Sequence, residues 1–116
     1  MFMGIQILPV VYVDNLTNQT IENLGFTFEG IQGKLPTIKK IKSGERKSVS
    51  IYNKGYLGKR MLYLTYVNKK VRITENQEIF AELTDSFVGN ILVEIKGIKK
   101  DGRFEVNINN NFDLKV

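Results

Sequence analysis

Apolar and polar residues alternate with a period of two along most of this chain. Successive side chains of a β-strand point to opposite faces, so this alternation predicts strands that are buried on one side. Turn-forming residues separate the segments at short intervals, as they do in β-sandwiches. We therefore predict a mainly β fold of about nine short strands, an antiparallel β-sandwich. The clearest segments are residues 5–13, 24–28, 38–41, 49–51, 62–73, 91–95 and 104–108.

Length and composition favour one domain that spans residues 1–116. The chain has 116 residues, of which 42% are hydrophobic, and a chain of this size can bury a core without a disulfide or metal. Residues 1–13 are apolar but lack the charged start of a signal peptide, so we expect a strand there, with Pro9 at a sheet edge or a bulge. No apolar run approaches the length of a membrane span. We therefore expect a soluble protein that does not contact a membrane.

The dipeptide Asp101-Gly102 is the strongest turn signal in the chain. It separates two alternating segments, 91–99 and 103–108, and an Asp-Gly pair in this position is typical of a two-residue hairpin turn. Both central residues of that turn need a positive φ, which Gly adopts without steric cost. We therefore predict that the two segments pair as antiparallel strands.

The segment near 75–85 fits two patterns. It follows capping-box residues, and Ile79, Leu83 and Phe87 are spaced four apart, as on one face of a helix. Ile79, Ala81 and Leu83 also alternate as they would on a strand. Because the flanking segments all show strand periodicity, we favour a strand and retain one short helix near 75–85 as the alternative.

Positive charge is concentrated in the middle third of the chain. Residues 34–72 contain twelve of the seventeen Lys and Arg residues and a single acid, Glu45, and the whole chain carries a net charge of +5. Charge segregated in this way creates a field that attracts an anionic partner. Tyrosines in the same block could stack on bases or anchor a protein contact. The candidate binding residues are Lys39, Lys40, Lys42, Arg46, Lys47, Tyr52, Tyr56, Lys59, Arg60, Lys69, Lys70 and Arg72.

Three predicted strands of this basic block, 37–42, 47–52 and 61–73, follow one another directly. If they pair as consecutive hairpins, the last of them turning at Asn68-Lys69, their outward faces lie side by side and the charges converge on one surface. The alternative is that alternating strands simply point Lys into water and that edge lysines prevent aggregation. The residues expected to share the surface include Lys39, Lys47, Lys70 and Arg72.

The chain contains neither His nor Cys. Their absence removes the commonest general base, the thiol nucleophile and nearly every zinc or copper site. Acids gather around residues 14–29 and 75–85, but exposed acids are ordinary, and their spacing does not match a calcium-binding loop. We therefore expect no enzyme, no metal and no cofactor. Signatures of sequence-specific DNA recognition are also missing.

Two short motifs in the first half of the chain carry a resemblance. The segment 11–15 ends in Asn15 before the segment 21–24, and residues 41–45 read Ile-Lys-Ser-Gly-Glu before the alternating residues 49–51. These segments resemble the opening strands of bacterial immunoglobulin-like accessory domains, in which a first strand often ends in Asn and an Ile-x-x-Gly-Glu turn precedes a strand. The resemblance implies an immunoglobulin-like sandwich and no activity.

The basic block is the feature from which a function is predicted. We expect a non-catalytic binding protein whose partner is an acidic macromolecule, either nucleic acid or a protein complex that binds nucleic acid. Abundant Ile, Lys and Asn are typical of AT-rich genomes, so we expect by analogy a phage or mobile-element inhibitor of a host defence complex, in the cytoplasm of a bacterial host cell. The alternative is a structural or assembly module, such as a virion or conjugation component, whose basic block only solubilises it.

Overall fold

The computed structural model describes residues 6–113 and shows two packed four-stranded sheets. The strands are Val10–Asn15 (β1), Ile21–Phe28 (β2), Thr37–Ile41 (β3), Arg46–Ser50 (β4), Arg60–Asn68 (β5), Ile73–Leu83 (β6), Asn90–Ile98 (β7) and Phe104–Asn109 (β8). Their order is β4-β1-β7-β8 in the first sheet and β3-β2-β5-β6 in the second. The prediction of a mainly β sandwich is confirmed. None of the described segments is a helix long and apolar enough to cross a membrane.

The first strand is shorter than the alternation predicts. Residues 1–5 of the predicted segment lie outside the described residues. In the described part, Ile7 is 68% exposed and β1 begins only at Val10, directly after Pro9. Proline has no backbone N–H with which to extend the sheet, so the alternation before Pro9 does not become strand.

Apolar side chains from the inner faces of both sheets form one core. In the first sheet, Val11 lies beside Ile91 and Val13 beside Val93, and all four side chains are fully buried. Burial of each such side chain contributes about 1.5–3 kcal/mol relative to its exposure to water. The second sheet contributes Leu24, Phe26, Phe28, Leu62 and Leu64.

One pairing departs from the antiparallel arrangement that the sequence predicts. β1 is parallel to β7, with Val10 beside Asn90 and Asn15 beside Ile95, whereas the other described pairings are antiparallel. A parallel pair needs a long crossover between its strands. Here the segment between β1 and β7 contains the whole second sheet and β4. β1 therefore lies inside the first sheet, between β4 and β7, although it is far from β7 in the sequence.

The segment near 75–85 is strand, and the helix alternative is wrong. It belongs to β6, which pairs with β5 along its length. The register shifts at Leu62, which pairs with Phe80 while its neighbour Tyr63 pairs with Glu78. This bulge places both Ile79 and Phe80 in the core, which interrupts the alternation. The interval of four between Ile79 and Leu83 is even, so it fits one face of a strand as well as one face of a helix.

The strands of the basic block do not pair with one another as consecutive hairpins. β3 pairs with β2 at the edge of one sheet, and β4 pairs with β1 at the edge of the other. The turn between β3 and β4 therefore crosses from one sheet to the other. Of the predicted hairpins, only that of β5 with β6 forms, but the predicted turn at Asn68-Lys69 is wrong: Asn68 pairs with Ile73, and the turn spans residues 69–72, including Val71.

Asn15 holds the corner at which the chain changes sheets. Its side chain is fully buried, and its Nδ2 donates to the carbonyl oxygens of Gln19 at 2.7 Å and Ile41 at 3.0 Å. Its Oδ1 accepts the backbone N–H and the hydroxyl of Thr17, and its carbonyl accepts the N–H of Gly44. The two motifs that carried the family resemblance thus meet in one hydrogen-bonded corner, and their role is structural.

The Asp101-Gly102 hairpin pairs β7 with β8 as predicted, but its turn is of another type. Only Gly102 has a positive φ, of 90°, and Lys99 closes the loop with hydrogen bonds to Gly102 and Arg103. This is a three-residue loop with Gly at the left-handed position, so the prediction of a two-residue turn is wrong. The loop is wider and carries Lys100 at its tip.

Candidate binding cleft

The twelve basic and aromatic residues predicted to bind do not form one surface. Arg60 begins β5 and Lys69 follows its end, so these two residues are about 30 Å apart along the strand. The twelve residues divide into a group at the β3 and β4 edges, a group at the β5–β6 turn and a group at the opposite end of the sandwich. The expected convergence is wrong because β3, β4 and β5 are not neighbours in one sheet.

At the edge of the sandwich, two of the predicted residues are engaged within the fold. Lys47 pairs directly with Val13, and its Nζ donates to the carbonyl oxygen of Lys40 at 2.6 Å. Lys47 thus lies on the same face of its sheet as Val13, and its exposed side chain reaches across the edge from one sheet to the other, contrary to the free outward position expected for it. Arg46 forms a two-point ion pair with Asp14, which raises the pKa of Arg46. Among the described residues, Lys39, Lys40 and Lys42 are exposed and form no ion pair.

At the opposite end, the predicted residues mainly support the β2–β3 loop. The Tyr56 ring packs edge-on against Phe28, and its hydroxyl accepts the N–H of Gln32 at 3.0 Å. Arg60 lies over the Tyr56 ring and donates to the carbonyl oxygen of Glu29. Nearby, Lys59 forms an ion pair with Glu82 and Tyr52 is exposed. Tyr56 and Arg60 are thus engaged within the fold, but together with the exposed Tyr52 they also line an open pocket of about 540 Å³.

The third group borders a cleft that the sequence does not reveal. β2 and β5 pair only from Gly25–Phe28 against Leu62–Thr65, within the described residues. Beyond Gly25, β2 pairs only with β3, and beyond Thr65, β5 pairs only with β6. The two strands separate toward the β5–β6 turn, and a cleft of about 400 Å³ opens between them.

Hydrogen bonds tie each wall of the cleft together internally. On one wall, Ser43 Oγ donates to the carbonyl oxygen of Thr17, which joins the β3–β4 turn to the β1–β2 loop. On the other wall, Asn68 Nδ2 donates to the carbonyl oxygen of Asp101 at 3.0 Å, and Lys70 Nζ donates to that of Lys100. The cleft therefore opens between two parts of this end of the sandwich, each of which is held together by its own hydrogen bonds.

The charge of the cleft comes from one wall. Lys69 and Lys70 from the β5–β6 turn lie there with Lys99 and Lys100 from the β7–β8 turn, whereas the facing wall carries the acid Glu22. The sequence-based selection omitted Lys99 and Lys100 because residues 73–116 hold more acids than bases. The sequence feature that could have pointed to these two lysines is their position directly before Asp101-Gly102, the strongest turn signal of the chain. Apolar side chains complete the lining: Ile21, Val67, Ile98 and Phe104.

Phe104 is fixed in place behind the cleft by Tyr66. The two rings stack with centroids 3.9 Å apart, and the Phe104 N–H donates to the Tyr66 hydroxyl. That hydroxyl donates to Gln77 Oε1 at 2.9 Å. Beside this hydroxyl, Glu75 Oε2 accepts a hydrogen bond from Asn68 Nδ2 and lies 3.6 Å from Arg103 Nε. The positive charge of Arg103 therefore compensates the negative charge of Glu75 within the fold.

Burial raises the pKa of Tyr66, and the charge of Glu75 adds to the increase, although the hydrogen bond from Phe104 opposes it. A raised folded-state pKa means that folding favours the neutral phenol. The resulting stability is fully present below the ordinary tyrosine pKa of about 10 and is lost as the pH rises above it. We expect urea unfolding between neutral and strongly alkaline pH to show a steeper loss of stability in the native protein than in Tyr66→Phe. Equal slopes would contradict this role for the Tyr66 hydroxyl.

The cleft combines ammonium groups, an apolar lining and fixed walls, which suits it to bind a ligand by charge and shape. Its volume lies within the ordinary range of about 300–1,000 Å³ for ligand sites. Comparison with protein-family models, curated proteins and solved structures finds no match for this chain.

Proposed function

We propose that this protein is a non-catalytic binding module and that its cleft holds an anionic segment of a macromolecular partner. The observation that carries the proposal is the concentration of Lys69, Lys70, Lys99 and Lys100 on one wall of a preformed cleft. A concave surface lined by one sign of charge focuses its field and speeds the association of an oppositely charged ligand. The proposal moves the binding surface from the whole basic block to one end of the sandwich.

The immunoglobulin-like resemblance adds only architecture to this proposal. We infer that the likeness consists of the two-layer sandwich and the Asn15 corner. An immunoglobulin constant domain places its first strand beside its second, whereas here β1 lies between β4 and β7. The resemblance therefore brings no partner or activity to this chain.

A second candidate function is an assembly module, and a separate observation favours it. Several apolar side chains near the cleft end are about half exposed: Val67, Val71, Ile73 and Ile98. Exposed apolar residues in one region are typical of protein-interaction surfaces. A partner held mainly by these side chains would bind with little dependence on salt.

Charge reversal within the cleft tests the proposal. We expect Lys69→Glu with Lys99→Glu to weaken binding of fluorescent polyglutamate and of single-stranded DNA at least about tenfold at low salt. The salt dependence should flatten for both probes, and for single-stranded DNA each lost phosphate contact lowers the slope by about 0.7. Fluorescence anisotropy over a series of salt concentrations measures both effects.

The matched control makes the same change in net charge outside the cleft. Lys34→Glu with Lys39→Glu alters two exposed lysines that form no ion pair among the described residues. Arg46 is unsuitable for this purpose because its reversal would also break the ion pair with Asp14. Equal loss of affinity in the two double variants would show that net charge alone, and not the cleft, attracts the probe. Salt-independent binding of the true partner would favour the assembly module.

A further inference from the structure

We propose that the occupant of the cleft is an acidic peptide segment in an extended conformation, which pairs with the inner backbone edges of β2 and β5. This inference rests on the proposed function and names the chemical class of the partner. The binding mode is strand addition, in which backbone hydrogen bonds supply affinity and alternate side chains supply specificity.

The pairing pattern of the second sheet is the first argument. Residues 21–24 of β2 have β3 on one side, and residues 66–68 of β5 have β6 on one side. Ile21, Glu22 and Val67 of these segments line the cleft, and no strand of the described chain pairs with the other side of either segment. A strand presents N–H and C=O groups on both of its sides, so these inner edges can pair with an added strand.

The lining of the cleft indicates which peptide fits. Ile98 and Phe104 contribute apolar surface to it, and Lys69 and Lys99 contribute positive charge. Successive side chains of an extended peptide point in opposite directions. A segment that alternates acidic and β-branched residues can therefore direct carboxylates to the lysines and apolar side chains to the lining.

The same features favour a peptide over nucleic acid. Single-stranded nucleic acid is usually held by exposed aromatic rings on which its bases stack. The aromatic ring in the lining, Phe104, is only 7% exposed and already stacks on Tyr66. The exposed Tyr52 lies in the β4–β5 loop, at the opposite end of the sandwich.

An NMR titration of the isotope-labelled full chain tests the inference with three probes. The first is a short peptide in which Glu and Val alternate. The second is the same peptide with alternate backbone amides N-methylated, which keeps its charge and removes the backbone donors along one of its edges. The third is an oligothymidine of similar charge. We expect the first probe to shift the amide signals of residues 21–24 and 66–68 and to slow their hydrogen exchange.

We expect N-methylation to weaken binding about tenfold or more, because at least two backbone hydrogen bonds are lost. Equal binding of the methylated peptide, or shifts confined to other residues, would overturn strand addition. Tighter binding of oligothymidine that is lost in Lys69→Glu with Lys99→Glu would overturn the peptide inference and leave the proposed function intact. Failure of all three probes to bind the cleft would overturn both.

Discussion

Gly102→Val is expected to lower the free energy of unfolding by about 3 kcal/mol or more. Gly102 has a φ of 90°, a conformation that costs a β-branched residue about 1–3 kcal/mol. A Cβ at this position would also lie 2.0 Å from Asn68 Oδ1 and 2.8 Å from Lys70 Cβ. Asn68 is 1% exposed, and each buried polar group that loses its partner costs about 1–3 kcal/mol. Urea denaturation followed by circular dichroism measures the loss.

A pair of alanine variants separates backbone strain from collision. Gly55 has a similar φ of 85°, but a Cβ added there meets nothing within 4 Å. Gly55→Ala therefore reports the strain alone, of roughly 1 kcal/mol. Gly102→Ala should cost clearly more, because it adds the collision with Asn68. If the two alanine variants lose equal stability, Asn68 does not brace the turn as the structure indicates.

Asn15→Asp is the second substitution with a large expected effect. The two Nδ2 donors that bind the carbonyl oxygens of Gln19 and Ile41 would be replaced by an oxygen that these carbonyls repel. The site is fully buried, so the carboxylate would also lack solvation. We expect a loss of about 3 kcal/mol or more at neutral pH, measured by urea denaturation.

The pH dependence of that loss distinguishes its cause. Burial raises the pKa of a carboxyl group that lacks a compensating charge, so the folded variant should retain its proton to a higher pH than the unfolded chain. The deficit should therefore be smallest in acid and grow as the pH rises above about 4. Asn18→Asp, in the same loop but exposed, is the control and should change stability by less than about 0.5 kcal/mol. A deficit that does not vary with pH would argue against a buried charge as its source.

Local patterns predicted most of the strands because burial on one face of a sheet selects alternating residues. The segments around Leu24, Val49, Leu64 and Val93 all became strand. The alternation fails where the backbone itself departs from regularity. Asn23 has a φ of 59°, and this left-handed residue places two exposed residues in succession between buried Ile21 and Leu24. Asn tolerates that conformation, but its presence in a sequence does not require it.

The candidate site was not predictable from the same patterns, because it depends on which strands are neighbours. Lys69 and Lys99 are 30 positions apart and line the same cleft because Asn68 joins the two turns that carry them. Lys47 and Lys39 lie close in sequence, yet they belong to different sheets, and Lys47 donates across the edge to the carbonyl oxygen of Lys40. The charged residues counted along the chain give the sign and size of the net charge. The position of each charge on the surface depends on which strands pair over long distances in the sequence.

The parallel pairing of β1 with β7 also affects how the chain folds during synthesis. Val10 pairs with Asn90, so β1 has to wait for a partner that is made 80 positions later. Its other neighbour, β4, is complete at Ser50. At about 5–20 residues per second, the ribosome needs about 2–8 s to extend the chain from Ser50 to Asn90. During that interval Val11 and Val13 lie on a strand with one open edge, which is the stage at which chaperone binding or pairing with another nascent chain competes with folding.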